Sequence, residues 1–364
     1  MRAIVTGGGT GGHLYPALAI VDALRERNGW EILFVGTRRG IENRILPEEG
    51  YPLRHVWMSG IERRRIVKNV LFPAKMVVSF FQAVCILLSY QPDLVLGTGG
   101  FVSWPVVSAG IILGKPCVIQ EQNRKPGLVT RSLAPFVRQV CLSFEESKHY
   151  FRKKDNLVVT GNPTRSRLQL VRKKEAYRHF RLDERRFTLF VFGGSQGARG
   201  INRIIEDLLP RLMKNKTMQL IWVTGPRWYG EIREKTAPYA DRIRAVSYLH
   251  EMEMAYSICD LIICRSGATT IAEIARLGLP VIFIPFPAAA GGHQEANART
   301  LAESGAAAMV LESECDSGRL ENVIFDLMES PAKRKAMAGA VKLFGHPQAA
   351  GRIVQVIYDQ IVLA

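Results

Sequence analysis

Two glycine-rich stretches, each between an apolar strand-like run and a helix-like one, are the residues of this sequence best suited to chemistry: Val5-Thr6-Gly7-Gly8-Gly9-Thr10-Gly11-Gly12-His13 and Phe190-Val191-Phe192-Gly193-Gly194-Ser195-Gln196-Gly197-Ala198-Arg199. Glycine lets a backbone approach a ligand closely, and the unpaired N–H groups opening the next helix attract anions. The pattern predicts phosphate binding. A tight turn without a ligand is the alternative at each loop.

A third loop, Cys264-Arg265-Ser266-Gly267-Ala268-Thr269-Thr270-Ile271-Ala272-Glu273, follows the apolar run Leu261-Ile262-Ile263 and opens a helix. Backbone donors and hydroxyls then stand at the helix's positive end, where they favour an anion. Glu273, one turn further on, could accept hydrogen bonds from a vicinal diol or simply be a solvated first-turn glutamate. A fourth loop, residues 285–297, brings His293, Gln294 and Asn297 to another helix start, and amides of this kind read sugar hydroxyls. Without an Asp-x-Asp motif or a histidine pair at metal spacing, neither metal nor cofactor is expected, and helix ends and arginine would stabilise a leaving diphosphate.

Gly7, Gly9 and Gly12 also fit the dinucleotide fingerprint. That motif wants an acidic residue at the end of the second strand, whereas Ile32-Leu33-Phe34-Val35 leads into Gly36-Thr37-Arg38-Arg39. NAD is disfavoured. An NADP-dependent oxidoreductase using Arg38 stays open, as does a nucleotide-binding peripheral membrane protein without catalysis.

The elements that must position these loops are legible as alternating apolar runs, at residues 2–6, 31–35, 93–97, 116–120 and 138–142, then 187–192, 219–224, 242–246, 260–264 and 280–285. With helix-like segments between them, they predict an α/β chain of two parallel-sheet domains whose strand-to-helix loops line a cleft. The 364 residues suit two such domains, joined near Gly161-Asn162-Pro163-Thr164. The expected division is 1–164, 165–346 and an amphipathic helix over 347–364 that packs back on the first domain.

Lysine and arginine number 49 against 33 acidic residues, a formal charge of +16 that favours anionic partners. With no recognisable nucleic-acid module and no interleaved aromatic and basic residues, nucleic acid is not expected. The six cysteines lack zinc spacing and read as reduced core residues. Met1-Arg2 leads directly into Ala3-Ile4-Val5 with no cleavable apolar leader, which predicts a cytoplasmic protein. From Met76 to Tyr90 fifteen residues carry no formal charge, and Arg63, Arg64, Arg65, Lys68 and Lys75 precede them. Such a segment is either a surface-lying membrane anchor or a buried helix.

The motifs Gly8-Gly9-Thr10-Gly11-Gly12-His13, Leu96-Gly97-Thr98-Gly99-Gly100-Phe101-Val102-Ser103, Glu121-Gln122-Asn123, Gly161-Asn162-Pro163-Thr164-Arg165, Gly193-Gly194-Ser195-Gln196-Gly197-Ala198-Arg199 and Cys264-Arg265-Ser266-Gly267-Ala268 resemble, in order and over nearly the whole chain, those of the MurG family of bacterial glycosyltransferases. The resemblance implies a GT-B fold of two Rossmann-like domains. It also implies inverting transfer of N-acetylglucosamine from UDP-N-acetylglucosamine to the 4-hydroxyl of undecaprenyl-diphosphate-linked N-acetylmuramoyl-pentapeptide.

Carried over, the resemblance puts Thr10, Gly11, Gly12 and Asn123 near the donor sugar and diphosphate. Arg165, Ser195, Asn202, Leu249, Ala268, Thr269, Thr270, Ile271, Ala272, Glu273, Gln294 and Asn297 would complete the substrate site, with Glu273 on the ribose, Leu249 at the uracil edge, Ser195 on a phosphate and Gln294 on sugar hydroxyls. His13 is the candidate base and Glu121 the second, because histidine exchanges protons near neutral pH and a carboxylate nearby could act as the base or orient it. Phe101, Gln120 and Gly292 depart from the residues often found there, a tyrosine, a histidine and an aspartate, and receive no catalytic role. The lipid-linked acceptor favours the anchor reading for Leu71, Phe72, Met76, Phe80 and Phe81, at the anionic cytoplasmic face of the cell membrane.

Overall fold

The computed structural model describes residues 1–60, 70–166, 168–194 and 196–362. The chain divides into two compact units, Met1–Ser166 with His346–Ala364, and Arg167–Gly345.

The first unit begins β1 (Arg2–Thr6), α1 (Gly11–Asn28), β2 (Glu31–Gly36), α2 (Glu42–Glu48), β3 (Leu53–His55), α3 (Phe72–Tyr90) and β4 (Leu94–Gly97). It continues through α4 (Ser103–Ile112), β5 (Cys117–Glu121), α5 (Leu128–Leu133), β6 (Gln139–Leu142) and β7 (Leu157–Val159). Among the described residues, seven parallel strands lie in the order β3-β2-β1-β4-β5-β6-β7. Val5 of β1 registers with Phe34 on one side and Leu96 on the other. Strands buried on both faces must be apolar throughout, which is why Ala3-Ile4-Val5 reads as an unbroken run.

Successive residues point to opposite faces. Ala3 and Val5 meet Leu14, Ala17, Leu18, Val21 and Leu24 of α1, while Ile4 lies with Ala83 and Leu87 of α3 and Val106 and Val107 of α4. The i, i+3, i+4, i+7 spacing on α1 is what fixes that helix against the sheet. Its end is set by Gly29 in the left-handed region. With α1 on one face and α4 on the other, the sheet has its topological switch point between β1 and β4, where ligands of such sheets bind.

The second unit contains α6 (Lys173–Phe180), β8 (Phe187–Phe192), α7 (Arg199–Lys214), β9 (Met218–Val223), α8 (Tyr229–Thr236), β10 (Ile243–Val246) and α9 (Met252–Ile258). Then come β11 (Leu261–Cys264), α10 (Ala268–Leu277), β12 (Val281–Phe283), α11 (His293–Glu303), β13 (Ala308–Met309), α12 (Arg319–Glu329) and α13 (Pro331–Lys342). Six parallel strands among the described residues run β10-β9-β8-β11-β12-β13. Ile201, Ile205 and Leu208 of α7 cover one face and Ile271 and Ile274 of α10 the other, so this switch point lies between β8 and β11.

The final helix α14 (Ala349–Val362) returns to the first unit. It buries Ile353, Val354 and Ile357 in the cluster that also holds α1, and Trp30 Nε1 donates to Tyr358 Oη at 3.0 Å. The sheets also contain β3, β7 and β13, which the apolar runs of the sequence do not predict. All three are short strands at or beside a sheet edge, only partly buried, so they carry little apolar pattern.

Candidate active site

At the carboxyl end of β1 the chain makes its glycine turn directly beneath neighbouring loops. A side chain on Gly7 would collide with Thr98 Oγ1, so only glycine fits there. Glu42, 1% exposed, lies under the turn, where it accepts the Gly9 N–H at 2.9 Å and the Thr37 N–H and hydroxyl at 2.9 and 3.0 Å. The turn is thus held by a carboxylate from outside both motifs. Thr10 is exposed, and its carbonyl accepts the first N–H groups of α1, from His13 and Leu14.

His13, in the first turn of α1 with Gly11 and Gly12, is half-buried. Its Nδ1 lies 3.0 Å from the Thr98 carbonyl oxygen and 3.0 Å from Gln122 Oε1, and its ring packs beside Gly99 and Gly100. Gln122 and Gln120 are buried at the end of β5. The Gln122 amide donates through Nε2 to the Thr98 carbonyl at 2.7 Å, to the Gln120 carbonyl at 3.2 Å and to Gln120 Oε1. Gln120 Nε2 in turn reaches Ser143 Oγ at 3.1 Å.

Beside this group Glu121 is 3% exposed, and both its oxygens are engaged: Oε1 takes the Asn123 N–H at 3.0 Å and side-chain amide at 3.2 Å, and Oε2 takes the Gly127 N–H at 3.1 Å. Its geometry is that of a loop organiser. Arg165 also belongs to the first unit, where its guanidinium grips Asp22 at 2.8 Å and Glu49 at 2.5 and 2.9 Å. Burial disfavours its charge, and the two carboxylates together outweigh that effect and hold its pKa above the ordinary value. The residue expected on a donor ligand is committed to α1 and to the residue after α2.

In the second unit the turn after β8 is as tight as the first. A Cβ on Gly197 would strike the Thr224 carbonyl. Ser195 lies outside the described residues. Asn202 is buried in an internal role, donating to the Thr224 carbonyl at 2.8 Å and accepting from Trp222 Nε1 at 3.1 Å.

Helix α10 starts on Gly267, which has no side chain to cap it, so backbone N–H groups form its positive end. Ala268 and Ile271 face the core, whereas Thr269, Thr270, Ala272 and Glu273 are half-buried. Tyr256 Oη of α9, 1% exposed, donates to Glu273 Oε2 at 3.0 Å. Burial pushes the Glu273 carboxyl up to about 7, and the tyrosine bond opposes the shift. Leu249 packs its side chain into the cluster that holds Tyr256 and Ile271.

Ser266 joins this loop to the next by donating its hydroxyl to the Gln294 carbonyl at 2.8 Å, and Asn297, fully buried, lies 3.5 Å from the Ser266 carbonyl. Gln294 uses its amide oxygen to accept the Phe286 N–H at 3.0 Å. Arg265 ties the same loops together, donating to the carbonyls of Ile284 and Pro285 and to Glu312 at 2.6 Å.

Helix α3 has two apolar faces. Ser79, Ala83, Ile86 and Leu87 are buried, and Phe72, Met76 and Phe80 pack partly against the same core, while Leu71, Val77, Val78, Phe81 and Leu88 are exposed. By length and composition α3 could cross a membrane, yet it is seated on the sheet. Arg63, Arg64, Arg65 and Lys68 of the basic flank lie outside the described residues. Lys75 stands 5.9 Å from the Trp57 ring and 2.7 Å from Ser59 Oγ.

Within the first unit the structure therefore gathers Thr10 and the first turn of α1, with Gly11, Gly12 and His13, beside the end of β5, with Glu121 and Asn123. In the second it gathers the start of α10, Glu273, Gln294 and Asn297. Sequence reasoning missed Glu42, Gln122 in its contact with His13, and Tyr256. Gln122 stood inside a quoted motif, which was a usable signal; the other two are joined to their partners only by the fold.

The sequence profile of the glycosyltransferase family 28 N-terminal domain matches residues 3–142, and that of the family's C-terminal domain matches residues 188–353. Two relatives are named UDP-N-acetylglucosamine–N-acetylmuramyl-(pentapeptide) pyrophosphoryl-undecaprenol N-acetylglucosamine transferase. The one from Desulforamulus reducens is 38% identical over 364 residues and covers 98% of each chain. The one from Halothermothrix orenii is 40% identical over 368 residues and covers 99% of each. The crystal structure of Acinetobacter baumannii MurG superposes with a TM-score of 0.75 at 26% identity, covering 98% of this chain and 99% of that one.

Proposed function

The chain belongs to glycosyltransferase family 28, and from that premise we propose the chemistry that its two units perform. It is an N-acetylglucosaminyltransferase of peptidoglycan synthesis: the sugar leaves UDP-N-acetylglucosamine and joins undecaprenyl-diphosphate-linked N-acetylmuramoyl-pentapeptide, converting lipid I to lipid II. The observation that carries this reading is the identity of 38% and 40% spread over nearly the full length of relatives bearing that name. Fold alone would leave the acceptor open.

The second unit holds the donor. Glu273 accepts the ribose hydroxyls, and the starts of α7 and α10, with Thr269 and Thr270, face the diphosphate, where backbone N–H groups stabilise the charge that grows as UDP leaves; Ser195 is assigned to a phosphate oxygen. Gln294 Nε2 reads a sugar hydroxyl, and the Leu249 backbone meets the uracil edge. The first unit serves the acceptor, with Thr10, Gly11, Gly12 and Asn123 at the reacting sugar and diphosphate. The muramoyl 4-oxygen attacks the anomeric carbon, the bond to the UDP oxygen breaks with its electron pair, and His13 Nε2 takes the hydroxyl proton. Attack opposite the leaving group inverts the anomeric centre. Glu121, Asn202 and Arg165 are assigned to holding the loops, since their polar groups are already engaged.

The acceptor's lipid brings the enzyme to a membrane. We assign the exposed face of α3, with Leu71, Phe81 and Leu88, to peripheral binding at the anionic cytoplasmic leaflet, in keeping with the net charge of +16. The reaction is tested by incubating the protein with radiolabelled UDP-N-acetylglucosamine and lipid-linked acceptor. Label should pass to the lipid with release of UDP. Donor binding without transfer would overturn the enzymatic reading, and binding of NADP in place of the UDP-sugar would favour an oxidoreductase.

A further inference from the structure

We infer that Gln122 is a positioning residue that, together with the Thr98 carbonyl, sets the tautomer of His13, so that the imidazole presents an unprotonated Nε2 to the acceptor; this rests on the reading of His13 as the base. The argument is one of donors and acceptors. An amide can be placed in either of two orientations, and only its partners decide between them. Here the nitrogen end of Gln122 meets two backbone carbonyls, those of Thr98 and Gln120, together with the side-chain oxygen of Gln120. Turning the amide over would set oxygen against three oxygens in a buried site. The orientation is therefore fixed, with Oε1 directed at His13.

Both groups within reach of His13 Nδ1, Gln122 Oε1 and the Thr98 carbonyl, are acceptors. The proton of the neutral ring must then reside on Nδ1. Nε2 makes no bond among the described residues and keeps its lone pair, which is the requirement for a general base. Free histidine prefers the opposite tautomer, with the proton on Nε2, which could not accept one. Gln120 extends the ordering: its own nitrogen is directed at Ser143 Oγ, and that hydroxyl donates to the Glu121 carbonyl at 2.8 Å. The carboxylates on the adjoining loops, Glu42 and Glu121, are occupied by backbone N–H groups, so this ordering rests on neutral amides and carbonyls.

The test uses the full chain labelled with nitrogen-15 at histidine, with the His13 signals identified by their loss in His13→Asn. Long-range proton–nitrogen correlation should show Nδ1 protonated and Nε2 bare in the parent. In Gln122→Met, which keeps the bulk and removes both amide functions, the Thr98 carbonyl is the acceptor left on Nδ1 among the described residues, and the ring should hold a mixture of the two tautomers in place of one. Single-turnover transfer should fall roughly tenfold or more while UDP-sugar affinity stays within twofold. Gln122→Glu keeps an oxygen on Nδ1. Its other oxygen replaces Nε2 opposite the Thr98 and Gln120 carbonyls, so this variant is read by proton position and not by rate: it should retain the parental tautomer and move the acid limb of the rate profile to higher pH.

An unchanged tautomer and rate in Gln122→Met overturns the proposal. If that variant does not fold, an unmoved acid limb in Gln122→Glu overturns it instead. A full loss of rate in His13→Asn beside a silent Gln122→Met would reject the positioning role and keep His13 as base. A tautomer shift in Gln122→Met beside near-normal transfer by His13→Asn would keep the positioning role and reject the base.

Discussion

Glu273 shows how burial sets a residue's working range. Its carboxyl is pushed up to about 7. In the role proposed for it, accepting the ribose hydroxyls, the group must be ionised, so donor affinity should rise with pH through 7 and fall as the group protonates below it. Stability runs the other way. A carboxyl raised on folding is best tolerated when protonated, so its contribution to the unliganded protein is full below pH 4.5 and is lost as pH rises through about 7. Glu273→Ala should weaken UDP-sugar binding tenfold or more, since each charge-assisted bond is worth roughly 1.5 to 3 kcal/mol. Tyr256→Phe removes the hydrogen bond that favours ionisation and should move the midpoint of the affinity profile upward. Calorimetric titration with UDP-N-acetylglucosamine between pH 6 and 8 measures both. Glu273 and His13 could be named as candidates from the sequence because each stands in a local pattern of strand, turn and helix. Tyr256, 17 residues from Glu273, and Glu42, 33 residues from Gly9, could not, because their partners are local only in the folded sheet.

At the level of elements, central strands are easy to read because both their faces are covered. Leu189, Phe190 and Val191 have no exposed surface and form an unbroken apolar run. At the periphery β3, with only Leu53, Arg54 and His55, has no such run. Helix α3 was ambiguous for a different reason: both its faces are apolar, and composition cannot say which one the sheet takes. The two faces should respond differently to mutation. Phe81→Ser combined with Leu88→Ser changes side chains 61% and 58% exposed, and should lower vesicle binding roughly tenfold or more with little change in melting temperature. Phe80→Ser should lower the melting temperature instead, because Phe80 packs on the core. Sedimentation with anionic vesicles and thermal unfolding separate the outcomes. Raised salt should release part of the parent protein, since exposed charges are screened over about a nanometre.

On the scale of the whole molecule, the first unit is built from two stretches of chain far apart in sequence, with the second unit inserted between them. Ile357 is fully buried where α14 meets α1. Ile357→Ala should cost about 2 to 5 kcal/mol. Limited proteolysis should then open the first unit while fragments spanning the second persist; equal protection of both would show that α14 contributes little. The same arrangement has a consequence in time. Trp30 and its partner Tyr358 are 328 residues apart. At roughly 5 to 20 residues per second of synthesis, the apolar side of α1 waits about 16 to 66 seconds for its cover, long after the strand beneath it has been made. For that interval the nascent chain carries an open hydrophobic surface. Lesions in α14 should therefore register first as lost yield, through capture by chaperones or aggregation, before any effect on turnover by the molecules that do mature.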